Sequence, residues 1–461
     1  MIRVCNLYLP SRLFLFILID GTCLSLALQA TLHSDLSLMH RLAGWQHFSL
    51  IALSGIVCLS CMYLFDLYDL DLTWSGHDVL LQSLRATGCG ILLLVPMWWF
   101  LAPGGTCYRS LESTLILFIV SLCFYRLLAE WIRGRALPGE RVLLVGSGPS
   151  IPLLAAALRT RRCLPLRLTG VVPEYAGVGM DALRFVICGS MTELEKVSEV
   201  SRPNRIAIAL GDHADTLVMD RLLELRRRGV RVDDAVELYE ALTGRVPVDL
   251  IDVKKMAFGK GLRLSPFAMA VSRCFGMLAA ITFIFLLMPV FWIIALLINL
   301  ESRGGVFYRQ ERVGLHGKSF HVFKFRSMYV DAEANSGPVW AQKGDSRVTK
   351  VGRVLRKFRL DELPQLWNVL RGEMCLIGPR PERPHFTASL AECLSYYDVR
   401  HSIRPGITGW AQVCADYGSS VEESKIKLEY DLFYLQNRSP LLDALILIKT
   451  IKIALFGRGA R

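Results

Sequence analysis

Between Arg273 and Glu301 the chain runs for 27 residues, CFGMLAAITFIFLLMPVFWIIALLINL, without one charged side chain. As a single straight helix, at ~1.5 Å per residue, this run would reach ~40 Å and cross the hydrocarbon core of a bilayer. Its flanks oppose a crossing. Lys254, Lys255, Lys260, Arg263 and Arg273 precede it, and Arg303, Arg309 and Arg312 follow it, whereas a span keeps its Lys and Arg bias on one side. Pro289 lies in the interior, where it removes a helix hydrogen bond and promotes a kink. A re-entrant membrane helix over residues 267–300, broken at Pro289, satisfies both observations. It dips into one leaflet and returns, leaving the chain that follows on the side from which it came.

The rest of the hydrophobic excess is also in blocks. A mean hydropathy of +0.38 over 461 residues is too apolar for a soluble enzyme. Residues 13–31, 47–65, 86–102 and 109–127 each approach the ~20 apolar residues of a spanning helix, so residues 1–135 are expected to be a four-helix transmembrane region. No small-residue cleavage pattern follows the first block, which argues against a signal peptide. Arg3 and Arg12 before the first helix and Arg126, Arg133, Arg135 and Arg141 around the end of the fourth place both ends in the cytoplasm. Asp20 could mark a polar pathway, but a packing contact is the favoured reading. The 13 cysteines are scattered singly and suggest no disulfide framework.

Residues 136–260 have a soluble composition and a βαβ pattern, hence an α/β, Rossmann-like domain with a parallel sheet. Strands are read at RVLLVG, RLTGVV, ALRFVI and RIAIAL, with helices at 151–159, 191–200 and 214–228. GSGPS after the first strand has two of the three glycines of a dinucleotide fingerprint, with Ile151 at the third. The turn could cradle a phosphate or be only a tight connection, and no bound cofactor is expected there.

Residues 261–461 carry the chemistry. Asp361 and Glu362 open a short apolar helix (Leu363, Leu366, Trp367, Leu370), and a Pro-punctuated loop with Arg380 and Arg383 follows. A helix N-terminus can hold an anion or keep a carboxylate ionised, and Asp361 alone would also serve as a plain N-cap. From Glu301 to Leu360 there are 13 Lys or Arg against 5 Asp or Glu, a net +8 out of +12 for the chain. The stretch SRVTKVGRVLRKF (346–358) reads as a basic amphipathic helix on an anionic membrane surface. Residues 440–460 are apolar with Lys449 and Lys452 along them, an interfacial or docking helix in preference to a fifth span.

GGVFYRQERVGLHGKSFHVFKFRSM (304–328), RKFRLDELPQLWNVLRGEMCLIGPRPE (356–382), RPGITGWAQV (404–413) and KLEYDLFYLQN (427–437) together resemble the bacterial monotopic sugar-phosphate transferases, which prime polysaccharide synthesis. The resemblance implies transfer of a sugar-1-phosphate from a UDP-sugar to undecaprenyl phosphate. Asp361 would be the nucleophile, forming an aspartyl-phosphosugar and releasing UMP. Glu362 would help Asp361 hold Mg²⁺. Arg380 would clamp phosphate, with Arg383, Lys324, Arg326 and Arg404 as second candidates whose alternative is a plain basic surface. Glu429, Tyr430, Asp431, Trp410 and Gln412 match family positions. The implied domain is α+β and mainly helical, with the re-entrant helix; Met288 before Pro289 and Gly276 depart from the family pattern. The location implied is the bacterial inner membrane, multi-pass, with the catalytic domain facing the cytoplasm.

The expected partners are the UDP-sugar, undecaprenyl phosphate and membrane lipids, with a second copy of the chain and downstream glycosyltransferases as further candidates. Nucleic acid is not expected, since the basic residues sit beside apolar segments. A membrane-tethered nucleotide-sugar oxidoreductase or dehydratase is opposed by the incomplete glycine pattern and the lack of a YxxxK pair. A non-enzymatic polysaccharide-export scaffold is opposed by the acidic pair and its arginines.

Overall fold

The computed structural model describes residues 2–4, 7–9, 11–34, 44–69, 76–101, 116–127, 139–160, 166–173, 189–210, 216–251, 266–330, 332, 345, 347–415 and 420–456. The chain is mostly helical with a few small, largely parallel sheets and divides into two compact units. Met1–Val4 with Tyr8–Ala235 form one, and Cys5–Leu7 with Val236–Arg461 form the other.

The first unit contains the apolar helices Ser11–Ser34, Gly44–Leu64, Gly76–Leu101 and Ile116–Leu127. Leu24, Cys58, Met62, Leu94, Phe118 and Leu122 meet in one core. Large apolar residues also cover the outside: Leu18, Ile56, Leu92 and Phe124 are 62–75% exposed. Helices apolar both inward and outward are a poor match for water. Asp20 is fully buried and makes packing contacts of a polar kind. Tyr68 donates its O–H to Oδ2 at 2.7 Å, Tyr125 donates to Oδ1, and Arg126 pairs with Oδ2 at 2.8 Å.

The α/β part is a four-stranded, all-parallel sheet in the order Leu166–Val172, Glu140–Gly146, Arg205–Ala209, Arg231–Asp234. Val142 to Val145 are fully buried, as expected for a strand covered on both faces. The strand Arg231–Asp234 has no strong apolar signal and escapes the sequence reading, while ALRFVI (182–187) lies outside the described residues. Gly146, the first glycine of GSGPS, has φ +122° and sits against the carbonyl of Ala209 in the neighbouring strand. Any side chain there would strike that carbonyl, so sheet closure by itself requires this glycine.

In the second unit, helix Pro266–Leu286 stops at Leu287 and helix Met288–Glu301 follows. The interruption falls two residues before Pro289, which occupies the first turn of the second helix, where a missing N–H costs nothing. Ala280 of the first half packs with Val322, and Ile294 and Ile298 of the second half pack with Phe325. A straight helix would separate residues 280 and 298 by about 27 Å, whereas residues 322 and 325 of one strand are about 10 Å apart. The two halves must therefore bend toward each other at Leu287. Outward, Phe275, Phe285, Trp292 and Leu300 are 61–81% exposed. By length and composition, His77–Pro96 and Met269–Leu286 are the two helices among the described residues able to cross a membrane.

The strands Phe307–Val313 and Ser319–Phe325 form an antiparallel hairpin, and Cys375–Ile377 pairs parallel with Gly406–Thr408. The core is organised around helix Val421–Asn437, opened by a capping box between Ser420 and Glu423 and buried continuously from Leu428 to Leu435. Helix Pro440–Phe456 docks on it through the fully buried Leu442 and Ile446.

Candidate active site

Helix Lys350–Lys357 is capped by the Thr349 hydroxyl, which accepts from Gly352 N at 2.9 Å. The helix buries Leu355 and leaves Val354 exposed, so its apolar residues are split between core and surface. Arg359 then enters the left-handed region, φ +55°, turning the chain into the 3₁₀ segment Leu360–Gln365. The cap position therefore belongs to Arg359, and Asp361 and Glu362 lie inside the first turn. The plain N-cap role, the alternative that the residue type of Asp361 also allowed, is therefore not the one it takes. This frees the Asp361 side chain from the backbone.

Asn368 ties this segment to the hairpin. Fully buried on helix Leu366–Arg371, it accepts from Phe323 N at 3.1 Å and donates to His321 O at 2.7 Å, standing in for a neighbouring strand. Lys324 is thereby held over the acidic pair. From the other side, Arg400 donates to the carbonyl of Arg380 at 2.9 Å and pairs with the buried Asp431 at 2.8 Å, positioning the loop that carries Arg380.

Three cations converge on Glu362. Arg380 grips both carboxylate oxygens, Lys324 Nζ lies 3.4 Å from Oε1, and Arg359 Nη1 lies 3.8 Å from Oε2. Burial pushes the Glu362 pKa up, but Arg380, Lys324 and Arg359 outweigh it and hold the group well below the usual carboxylate range. Asp361 is equally buried, yet its carboxylate accepts no hydrogen bond from the described residues. Burial and the neighbouring Glu362 charge raise its pKa, against the pull of Lys324, Arg356 and Arg380. Burial lowers the pKa of Lys324, against the opposite pull of Glu362. The two adjacent carboxylates thus have opposite environments: one ionised and clamped, the other bare beside a positive field.

Arg383 stands at the cap of helix Pro384–Cys393, and its charge bears on half-buried Arg312, which pairs with Glu382 at 3.5 Å. Arg326 turns away from the acidic pair, donating to Ser302 O at 2.7 Å and Arg303 O at 3.2 Å at the end of the broken helix. Arg404 is half-buried beside Cys375. Trp410 donates to Gly244 O at 3.0 Å, Gln412 to Ile407 O at 3.1 Å, and Tyr430 stacks under Arg245, so these three serve the core. Glu429 is buried in the same helix. Sequence reasoning missed Arg359, Asn368 and Arg400. The only local sign was a polar residue, Asn368, interrupting an apolar run.

No group of three or more His, Cys, Asp or Glu gathers among the described residues. Mg²⁺ does not need one, because it is commonly held by one or two carboxylates with substrate phosphates and water. The hard oxygen donors of Asp361 and Glu362 fit that demand, with Asp361 the less engaged.

Residues 267–457 match the family model described as bacterial sugar transferase. Among curated relatives, the UDP-N-acetylgalactosamine-undecaprenyl-phosphate N-acetylgalactosaminephosphotransferase of Aeromonas hydrophila is 44% identical over 49% of this chain and 52% of its own length. The undecaprenyl-phosphate glucose phosphotransferase of Komagataeibacter xylinus is 34% identical over 70% of this chain and 60% of its own. The chain thus spans about half to 60% of these two. The UDP-glucose:undecaprenyl-phosphate glucose-1-phosphate transferase of Escherichia coli K12 is 30% identical over 71% of this chain and 70% of its own. The matched segment contains the bent apolar helix, the acidic pair and every cation around it, and with these relatives it places the chain in the bacterial sugar transferase family.

Proposed function

We propose that the protein transfers a sugar-1-phosphate from a UDP-sugar to undecaprenyl phosphate, releasing UMP and starting the assembly of a polysaccharide. The observation that carries this reading is the contrast within the acidic pair: Glu362 neutralised by three cations, Asp361 buried beside them and accepting no hydrogen bond from the described residues. A carboxylate oxygen of Asp361 attacks the β-phosphorus of the donor, and the bond to the α-phosphate oxygen breaks, so UMP leaves with that electron pair. An oxygen of undecaprenyl phosphate then attacks the same phosphorus and returns Asp361 as a free carboxylate. Lys324 and Arg380, fixed by Glu362, face the phosphoryl oxygens on which charge develops. Arg383 and Arg404 line the approach, and Arg326 supports the membrane helix. Asp361 and Glu362 would hold Mg²⁺, which when bound neutralises diphosphate charge.

The same reading places the protein in the bacterial inner membrane. Residues 1–135 form the multi-pass bundle, residues 136–260 a cytosolic Rossmann-like domain, and residues 261–461 a cytoplasm-facing catalytic domain whose bent helix enters and leaves one leaflet. The exposed apolar surface of both helical regions supports it.

The test is UMP release by the full chain in nanodiscs with Mg²⁺ and undecaprenyl phosphate. The names of the relatives put UDP-N-acetylgalactosamine and UDP-glucose first in the donor panel. Mg²⁺-dependent UMP from one donor, lost in Asp361→Asn, is expected. No UMP from any UDP-sugar, with the protein folded, would return Asp361 to a structural role.

A further inference from the structure

Away from the acidic pair, another carboxylate joins two elements. Glu301 is the last residue of helix Met288–Glu301, the second half of the broken apolar run. A negative charge is disfavoured at the C-terminal end of its own helix and favoured at the N-terminus of another. Glu301 reaches such an N-terminus: its Oε1 accepts from Lys350 N at 2.6 Å and its Oε2 from Val351 N at 2.9 Å, the first two N–H groups of helix Lys350–Lys357. Thr349 takes the next one, Gly352 N, at 2.9 Å, so the open end of that helix is closed. The first turn has no acid of its own. Ordinary caps come from within a few residues, whereas this one comes from 49 positions away.

What this tie holds is the lead-in to the acidic pair. Helix Lys350–Lys357 rests on the backbone of Ser327: a side chain at Gly352 would strike Ser327 O, and Arg356 donates to Ser327 Oγ at 2.9 Å. Beyond it, Phe358 N–H donates to Val354 O, Arg359 N–H to Arg356 O and Glu362 N–H to Arg359 O, each at 3.2 Å, so backbone bonds run unbroken from the helix to Asp361 and Glu362. Leu360 and Leu363, on either side of the pair in sequence, pack against the cluster of Ile294, Ile298, Phe325 and Leu355. The apolar helix thus meets this segment twice, through Ile294 and Ile298 beside the pair and through Glu301 at the helix start. Lys324 and Arg380 are held by other elements, through Asn368 and through Arg400 with Asp431.

We infer that Glu301 is a positioning residue of the transfer reaction: it joins the end of the broken apolar helix to the helix that delivers Asp361, and so fixes the attacking carboxylate against the part of the chain that faces the bilayer. Its removal displaces Asp361 while leaving Lys324 and Arg380 in place, so the chemical step slows and donor binding stays. This role rests on Asp361 as the attacking group, as proposed above.

The test is single-turnover UMP release by the full chain in nanodiscs, with Mg²⁺, undecaprenyl phosphate and enzyme in excess over the UDP-sugar, for wild type, Glu301→Ala and Glu301→Gln. The rate constant should fall about 10–100-fold in Glu301→Ala, the effect of a misplacement of about 1 Å, and less in Glu301→Gln, which keeps one acceptor oxygen. The steady-state KM for the UDP-sugar should stay at the wild-type value, so that kcat and kcat/KM fall together. A smaller folded fraction leaves the single-turnover rate constant unchanged while enzyme remains in excess, so a purely stabilising role predicts no fall. Hydrogen exchange over residues 360–365, read by mass spectrometry without substrate, should be faster in Glu301→Ala. Where Glu301→Ala fails to fold, Glu301→Gln carries the same comparison. A wild-type rate constant in the variant, a raised KM at unchanged kcat, or unchanged exchange over that segment overturns the inference. Wild type and variant releasing UMP at one rate refutes this role alone, whereas no UMP from wild type refutes the transfer reading with it.

Discussion

Glu362→Gln is the most informative single change in this structure. It keeps the side-chain volume but removes the charge that Arg380, Lys324 and Arg359 share. Breaking a buried pair by deleting one partner typically costs 3–5 kcal/mol, because the remaining charge is left uncompensated. One of the three cations can respond. Lys324 already has a lowered pKa from burial, opposed by Glu362, so in the variant it should lose its proton and relieve part of the repulsion. The net cost at pH 7 should therefore fall near the lower bound, about 3 kcal/mol, or a fall in melting temperature of about 6–12 °C. The sign of the pH dependence follows. A lysine neutral in the folded state and charged in the unfolded chain adds stability as pH rises from its lowered pKa toward ~10.4. The deficit of Glu362→Gln against wild type should shrink as pH rises toward the ordinary lysine value of ~10.4. Thermal unfolding followed by intrinsic fluorescence in detergent measures it, and Lys324→Met in the Glu362→Gln background should recover part of the loss. A variant that melts with the wild type at pH 7, or a deficit that grows with pH, would refute the claim that these cations are organised by Glu362.

Other outcomes follow from the same geometry. Because burial and Glu362 raise the Asp361 pKa, the acid limb of UMP release should lie above the ordinary value of 3.8, with rate lost as pH falls through it; a pH–rate profile decides. Burial and the charge of Arg400 lower the His401 pKa from 6.5 to about 4. The folded state keeps the ring neutral while the unfolded chain binds a proton, so up to about 3 kcal/mol present above pH 6.5 is lost as pH falls toward 4, and His401→Gln should flatten that slope in melting curves. Asp431→Leu or Arg400→Met should each cost about 3–5 kcal/mol, and Asp431→Leu/Arg400→Met much less than their sum, which a double-mutant cycle of thermal stabilities tests.

How far the sequence carries depends on the range of the interaction. The charge-free run, its basic flanks, the βαβ pattern and the closeness of Asp361, Glu362 and Arg380 are local, and periodicity and spacing report local properties directly. Where local rules compete, residue type alone leaves alternatives open: Asp361 could also have been a plain cap, but the left-handed turn at Arg359 puts the cap two residues earlier. The helix break was read at Pro289, the conspicuous residue, and falls at Leu287 because proline is favoured just inside a helix start.

By itself the sequence determined that part of this chain is built for an apolar environment, that a parallel α/β sheet follows the first apolar blocks, and that acids and arginines share one short segment near the C-terminal end. Only the tertiary structure decided which charges meet. Lys324 joins Glu362 because Asn368 locks the hairpin to the helix after the acidic pair. Arg326, two residues further along, turns instead to Ser302, and Arg400 finds Asp431 in a helix far along the chain. A formal charge has the same value anywhere in the sequence, but its partner and its solvation are set by packing, and those two quantities decide whether an arginine binds phosphate, holds a loop or caps a helix.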